Sequence, residues 1–391
     1  MSEQWGNVKL KDISKIEYGK SPSNIRVDSS DYPIYGTSGQ VGYAKSPLFK
    51  APLILIGRKG TIDNPFYINK DCWIIDTAYG LSIDDESIDL KWLYYFLSHF
   101  DLAKLNEATG VPSLNRENLY NIKIPLPSHK EQQKISVILS SVDEAIEKTE
   151  AVIEQIENVK KGLMQQLLTK GIGHTKFKKT EIGEVPENWE VSQLSKHCQV
   201  NPTYRLEKGT ICDYVEMAAV DTDLPHVAYF DKREAGSSSG SRFKDGDVVF
   251  ARITPCTENG KTALISNMEA EIGIGSTEFI VLSPITNKMD SRFLYYLVKW
   301  EKIRSYAISK MVGTTGRQRV PKEVFKEELI VAFPPLDEQR KIGNILWSYD
   351  EKIAKEKSYL KQLEILKKGL MQSLLTGKVL VKVDQAEVTE T

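Results

Sequence analysis

The chain carries the same segment twice, and this internal repeat constrains its architecture more than any other feature. Residues 131–169 align without a gap on residues 338–376, and about 22 of the 39 aligned positions are identical. The distance between the copies is far longer than the ~20–50 residues of solenoid and propeller repeats. The sequence therefore predicts two halves, each a globular region followed by one long helix.

Both copies have the composition of long amphipathic helices. They contain no proline, are rich in Glu, Lys, Gln, Leu and Ile, and follow Pro127 and Pro335. Apolar residues recur every three or four positions, which is typical of helices that pack side by side. We predict helix-to-helix packing through Ile135, Ile138, Val142, Ile156, Val159, Leu163, Ile342, Ile345, Tyr349, Leu363, Leu366 and Leu370.

Each helix could instead pack only on its own globular region. We favour mutual packing, because two equivalent helices in a duplicated chain form a pseudo-symmetric pair, with one globular domain at each end when the pair is antiparallel. The predicted fold class is α+β. It comprises two globular domains of mixed sheet plus helices, separated by two long helices packed as an antiparallel coiled coil with pseudo-two-fold symmetry.

The repeat and the local composition also place the boundaries. Gly171, Gly173 and a lysine cluster indicate a solvated linker between the halves. The predicted segments are a first globular domain at 1–127, a long helix at 128–170, a linker at 171–183, a second globular domain at 184–333, a second long helix at 334–377, and a tail at 378–391 that is disordered after Lys382.

The globular regions echo each other more weakly. A short apolar run leads to an arginine in both, as LILIGRKG around Arg58 and DVVFARIT around Arg252. Such runs, bounded by Gly or Asp, predict buried strands. Helices are expected to begin near Asp89 and Asp290. We interpret the two regions as one fold whose sequences have diverged.

Composition leaves the function open but narrows its class. The formal net charge is −1, which counts mildly against a protein that coats nucleic acid, although local basic surfaces can still bind phosphates. The cysteines form no C-x-x-C pair, so we expect neither a disulfide framework nor a metal site. No apolar run reaches the ~20 residues of a membrane span, and the N-terminus lacks a signal-peptide core, so a cytoplasmic protein is expected.

At this point the ordered phrases resemble a known family, the specificity subunits of type I restriction–modification enzymes. The phrases include GEVPENW at Gly183, IPLPSHKEQQKI and FPPLDEQRKI at the helix starts, GRKGTID, TGVPSLNRENL and FKDGDVVFARITPCTENGK. The resemblance covers essentially the whole chain. The first half departs from it by opening directly at Trp5, which we interpret as a short N-terminus.

The resemblance implies a division of labour. Each globular domain would be a target-recognition domain that reads one half of a bipartite target in double-stranded DNA, while the helices set the spacer between the halves. Two methyltransferase subunits would dock on the helices and two restriction subunits would join them. This chain would bind no cofactor, and S-adenosylmethionine, ATP and Mg would be held by the partner subunits.

Three fragments invite an enzymatic interpretation, and each lacks a required part. Asn201-Pro-Thr-Tyr204 resembles the tetrad that holds an adenine in amino-methyltransferases, but no glycine-rich cofactor loop accompanies it. The loop ending at Lys261 has Pro255 where a phosphate-binding loop needs its first glycine. His197 beside Cys198 has no second ligand pair. We therefore predict a non-catalytic subunit with no catalytic residues.

The best candidates for DNA contact are polar residues on loops beside buried strands, because a rigid strand can aim an adjacent side chain. An arginine there can bind guanine O6 and N7 or a phosphate. Any one of these residues could equally be a solvated surface group. The candidates are Arg58, Lys59, Asn115, Arg116, Arg242, Lys244, Arg252, Asn259, Lys261, Arg317, Gln318 and Arg319.

Two other function classes remain open on sequence grounds. A scaffolding protein with a coiled-coil pair and two protein-binding domains would explain the helices and the near-neutral charge. It would not explain why the helices match while the globular domains differ. A self-sufficient methyltransferase or nuclease is disfavoured by the missing motifs.

Overall fold

The computed structural model describes residues 5–236 and 240–382 of the chain. The chain divides into two compact units, residues 1–149 with 359–391, and residues 150–358. Each unit therefore holds one globular domain and parts of two long helices, α4 (His129–Lys170) and α7 (Leu336–Leu374). The predicted disordered tail after Lys382 lies outside the described residues. Among the described residues, no helix is long and apolar enough to cross a bilayer.

The globular domain of the first unit consists of two four-stranded sheets, a two-stranded ribbon and short helices. Its elements are β1 (Gly6–Lys9), α1 (Leu10–Ile13), β2 (Lys15–Tyr18), β3 (Arg26–Val27), β4 (Tyr32–Gly36), β5 (Gly39–Ala44), β6 (Leu53–Gly57), β7 (Phe66–Ile68), β8 (Trp73–Ile74), β9 (Ala78–Ser82), α2 (Leu90–His99), α3 (Arg116–Tyr120) and β10 (Lys123–Leu126). One sheet is antiparallel in the order β2-β9-β6-β7. The other, β3-β5-β4-β8, is mixed because β4 runs parallel to β8. Strand β1 pairs with β10.

The globular domain of the second unit repeats this plan. Its elements are β11 (Phe177–Thr180), β12 (Gly183–Pro186), β13 (Glu190–Gln193), β14 (Cys198–Val200), β15 (Ile211–Val215), β16 (Asp231–Glu234), β17 (Ser241–Phe243), β18 (Val248–Ala251), β19 (Thr262–Leu264), β20 (Gly273–Gly275), β21 (Phe279–Pro284), α5 (Ser291–Lys299), α6 (Glu301–Ser309) and β22 (Ile330–Phe333). The antiparallel sheet has the order β14-β21-β18-β19, and the mixed sheet the order β16-β15-β20-β17. The ribbon is β13 with β22. The α+β class and the shared fold of the two domains are thus confirmed.

The strands and helices predicted beside the candidate arginines form as expected. All residues of β6 and of β18 are buried, because both are central strands with a hydrophobic core on each face. Helix α2 begins after Asp89, whose Oδ1 accepts a hydrogen bond from Trp92 N at 2.7 Å. Helix α5 begins after Asp290, which accepts one from Phe293 N at 3.0 Å. These carboxylates satisfy backbone donors that a helix start leaves free.

A buried glutamine ties each long helix to the globular domain that precedes it. Gln132 is 1% exposed; its Oε1 accepts from Asp89 N at 2.8 Å and its Nε2 donates to Pro127 O at 2.9 Å. Gln339 is also 1% exposed and makes the equivalent bonds, each 3.0 Å long, with Asp290 N and Pro334 O. The duplicated helix starts are therefore held in the same way in both units.

Segments of the two long helices pack together within each unit. In the first unit, Ile135 and Leu139 of α4 share a core with Met371 and Leu374 of α7. In the second unit, the C-terminal end of α4, at Leu167, shares a core with the N-terminal end of α7. In each case the beginning of one helix lies against the end of the other, so the paired segments are antiparallel.

The predicted packing residues are not all buried. Ile135, Val142, Ile342 and Leu363 are buried, whereas Ile138, Ile156, Leu163, Ile345, Tyr349 and Leu370 are partly buried. Val159 and Leu366 are 44% and 49% exposed, so their predicted place in the packed seam is corrected. Their immediate neighbours, Lys160 and Lys367, turn inward instead and bind buried or half-buried aspartates. A count of apolar residues alone could not detect a seam position occupied by a lysine.

The predicted solvated linker at 171–183 contains regular structure. Strand β11 begins at Phe177 and pairs with β12 in a hairpin. The exposed lysines of β11 are typical of a linker, but a two-residue turn connects the two strands of a tight hairpin. Gly183, which follows this turn, has a φ of +113°, a conformation that glycine adopts readily.

Candidate nucleic-acid interface

Arg58 directly follows the buried strand β6, and its backbone is held from two sides. Its N–H donates to Thr77 O at 2.8 Å, and its carbonyl accepts from Leu114 N at 2.9 Å. The side chain is half-buried and its Nη1 donates to Asp76 O at 3.1 Å. These backbone hydrogen bonds thus fix the position from which the Arg58 side chain projects.

Arg116 joins Arg58 around one tyrosine. The guanidinium carbons of Arg58 and Arg116 lie 5.2 and 5.0 Å from the ring centre of Tyr18, within cation–π range. Tyr18 ends β2 and is 45% exposed. An exposed aromatic ring beside two arginines can bind phosphate, sugar and base surfaces. Tyr18 was not among the residues predicted from the sequence, since its position next to the arginines comes only from strand pairing.

Lys59 follows Arg58 and Asn115 precedes Arg116, and the side chains of Lys59 and Asn115 differ in how far they are engaged by the fold. The backbone of Lys59 bridges that of Ser113, and its side chain is exposed. The Asn115 Oδ1 accepts from Glu117 N at 3.0 Å and caps α3. Asn115 therefore has a structural role that positions Arg116, the first residue of that helix.

Arg252 occupies in the second domain the position that Arg58 holds in the first. It follows β18, its N–H donates to Glu278 O at 2.9 Å, and its carbonyl accepts from Val320 N at 2.8 Å. Its Nε is buried without a hydrogen-bond partner in the described part of the chain. The backbone of Arg252 is thus held from two sides, and its side chain keeps one unpaired donor.

The segment 317–319 lies beside Arg252, as residues 111–113 lie beside Arg58. Arg319 binds Glu278 through three hydrogen bonds of 2.7 to 3.0 Å, which raise the pKa of its guanidinium. Its charge is therefore largely compensated. Arg317 and Gln318 are exposed, so they are more accessible to DNA than Arg319.

The loop after Arg252 contributes one free and one engaged candidate. Asn259 is exposed. Lys261 Nζ donates to Met217 O at 2.9 Å, which fixes this side chain against the domain.

Arg242 and Lys244 belong to a separate cluster around Tyr204. Arg242 Nη1 donates to Tyr204 O at 2.5 Å, and Lys244 Nζ lies 5.4 Å from the Tyr204 ring centre. The Tyr204 hydroxyl donates to Asp247 at 2.9 Å, and burial raises the pKa of both Tyr204 and Asp247. In the Asn201-Pro-Thr-Tyr204 segment the tyrosine is thus engaged in holding the two sheets together.

The candidates therefore form three groups, around Arg58, around Arg252 and around Tyr204. The first two occupy equivalent positions of one repeated fold, yet the side chains around them differ. In the described residues, no group of three or more His, Cys, Asp or Glu side chains is placed to hold a metal ion.

Comparison with known proteins decides the family. The profile described as "Type I restriction modification DNA specificity domain" matches residues 2–158 and 186–365. The chain belongs to this family. The two matches cover the two globular domains, each with part of a long helix.

Relatives in the specificity family agree with this, and a solved structure has the same fold. The type I restriction enzyme MjaVIII specificity subunit of Methanocaldococcus jannaschii is 28% identical, over 97% of this chain and 94% of the relative. The putative type I restriction enzyme MjaX specificity subunit of the same organism is 30% identical, over 75% of this chain and 69% of the relative. The crystal structure of a type I restriction–modification S subunit from M. genitalium superposes with a TM-score of 0.65 at 16% identity, covering 96% of this chain and 97% of that one.

Proposed function

We propose that this chain is the DNA-specificity subunit of a type I restriction–modification complex. Each globular domain reads one half of a bipartite double-stranded target, and the two long helices set the spacer between the halves. The observation that carries this proposal is the pair Arg58 and Arg252. They occupy the same backbone position in two copies of one fold but have different neighbours. This is expected when one domain fold is used twice to read two different half-sequences.

In this proposal the chain binds DNA and positions the partner subunits, and it does not itself catalyse a reaction. Two methyltransferase subunits dock on the helices and supply S-adenosylmethionine chemistry on adenine. Two restriction subunits supply ATP- and Mg-dependent cleavage, and the complex acts in the cytoplasm. Membership of the specificity family and the printed names of its relatives support this assignment.

Methylation mapping tests the proposal directly. The full chain is co-expressed with its methyltransferase partner in a host without adenine methylation, and methylated adenines are mapped across the genome. We expect one asymmetric motif made of two short half-sequences separated by unread base pairs. A methyltransferase that modifies no defined motif in the presence of this chain would contradict it.

Duplex binding separates this function from the scaffolding alternative. Phosphate contacts make DNA affinity fall steeply with salt. We expect salt-dependent and sequence-selective binding by the complex of this chain with its methyltransferase partner. Binding that is absent or insensitive to sequence would favour a scaffold.

A further inference from the structure

The first unit contains a tyrosine–aspartate–lysine cluster that joins its globular domain to both long helices. Tyr95 of α2 donates through its hydroxyl to Asp143 Oδ2 of α4 at 2.7 Å. Lys367 of α7 lies with its Nζ 2.6 Å from the other carboxylate oxygen. Tyr95 is 1% exposed, and the Asp143 and Lys367 side chains are 23% and 30% exposed.

The second unit contains the same cluster with the helices exchanged. Tyr296 of α5 donates to Asp350 Oδ2 of α7 at 2.5 Å, and Lys160 of α4 binds the other oxygen. The Asp350 and Lys160 side chains are 4% and 18% exposed. Burial raises the pKa of both tyrosines, so their hydroxyls stay protonated and donate.

The two clusters define one helix register. Asp143 aligns with Asp350 in the duplicated segments, and Lys160 aligns with Lys367. In antiparallel helices with a single register, the numbers of any two facing residues add up to the same total. The pairs Lys160–Asp350 and Asp143–Lys367 meet this condition.

A shift of one heptad would remove the partner of every aspartate. Asp350 would then face Leu167 or Ile153, and Asp143 would face Leu374 or Leu360. A charge left against apolar side chains is strongly destabilising, whereas a well-packed apolar pair is often as stable as a buried ion pair. A buried polar pair of this kind therefore adds little stability but penalises every other register.

We propose that these two clusters make the spacer length unique. They hold α4 and α7 in one register and hold each recognition domain at one angle on its helices, so that targets with a shorter or longer spacer are rejected. This inference rests on the proposed function and adds the residues that make spacer reading strict. Lys160, Lys367, Asp143, Asp350, Tyr95 and Tyr296 act here as positioning residues.

The test replaces both clusters by apolar residues of similar size. The variant carries Tyr95→Phe, Tyr296→Phe, Asp143→Leu, Asp350→Leu, Lys160→Met and Lys367→Met, in the full chain with its methyltransferase partner. Methylation is measured on duplexes that differ only in spacer length, at the native value and at one base pair less or more. We expect the preference for the native spacer to fall at least tenfold, about 1.4 kcal/mol, with both half-sequences and the melting temperature maintained.

A conservative variant and a matched control make the result decisive. Tyr95→Phe with Tyr296→Phe removes only the two hydroxyls and should give a smaller fall in spacer preference. The control is Tyr229→Phe, which removes a 2.6 Å bond to Glu216 on an exposed surface and should leave the preference unchanged.

Three outcomes are distinguishable. A folded apolar variant with wild-type spacer preference overturns the inference; if that variant does not fold, unchanged preference in the double tyrosine variant overturns it. A wild-type complex that ignores spacer length altogether contradicts the proposed function itself.

Discussion

Arg58 and Arg252 occupy one backbone position in two copies of the same fold. Both directly follow a buried strand. The carbonyl of Arg58 accepts a hydrogen bond from Leu114 N, and the carbonyl of Arg252 accepts one from Val320 N. Arg58 shares Tyr18 with Arg116, whereas Arg252 lies beside the Glu278–Arg319 ion pair. Under the proposed function, this identical placement with different surroundings lets the two domains read different half-sequences.

Alanine substitution at these two arginines should separate the half-sites. Arg58→Ala and Arg252→Ala are each expected to relax only one half-sequence, at a cost of about 1–3 kcal/mol if the side chain reads a base. Competition binding with duplexes altered in one half measures this. Arg340→Ala is the control, because Arg340 makes an exposed pair with Asp337 on α7. Equal weakening on all sequences would show phosphate contacts instead.

Lys299 predicts a pH dependence of stability. Burial lowers the pKa of this lysine from 10.5 to about 8, and its Nζ donates to Thr222 O at 2.7 Å. Between these two pKa values the unfolded chain binds more protons than the folded chain, so this group makes the free energy of unfolding rise with pH. The difference in unfolding free energy between wild type and Lys299→Met should therefore grow in favour of wild type from pH 8 to pH 10. A difference that is constant in denaturant titrations over this range would contradict the shift.

At the scale of elements, local signals predicted the structure well where a single rule dominated. The apolar runs before Arg58 and Arg252 became central strands, and Asp89 and Asp290 became helix caps. Val159 and Leu366 were predicted in the seam between the long helices, but the neighbouring Lys160 and Lys367 turn inward instead. Burial of these lysines is favourable only because each one pairs with an aspartate of the other helix. No local sequence pattern shows this pairing.

The glutamine at the start of each long helix should contribute measurably to stability. Gln339→Leu would leave Asp290 N and two backbone carbonyls, those of Lys288 and Pro334, without their partner. We expect the free energy of unfolding to fall by about 2–3 kcal/mol, because unpaired buried polar groups are costly. Chemical denaturation measures the change, with the exposed Gln155→Leu as control. Equal stability of both variants would show that the glutamine bonds are not needed.

At the scale of the whole molecule, duplication predicted two similar globular domains and an antiparallel pair of long helices. Each helix was predicted as a separate segment, whereas each compact unit takes residues from both helices. This sharing follows from antiparallel pairing, which brings the end of one helix to the beginning of the other. The surroundings of the candidate side chains were less predictable. Pairing of distant strands brings Tyr18 to Arg58, the start of α3 engages Asn115, and Glu278 binds Arg319.

The central claim is that the paired helices measure the distance between two half-sequences. Lengthening both by one heptad tests it, by duplicating residues 149–155 after Gln155 and the aligned residues 356–362 after Gln362, which keeps the seam in phase. Seven residues add about 10.5 Å of helix, or about three base pairs at ~3.4 Å each. Methylation mapping should then show both half-sequences unchanged and the spacer longer by about three base pairs; an unchanged spacer, or altered half-sequences, would contradict the account.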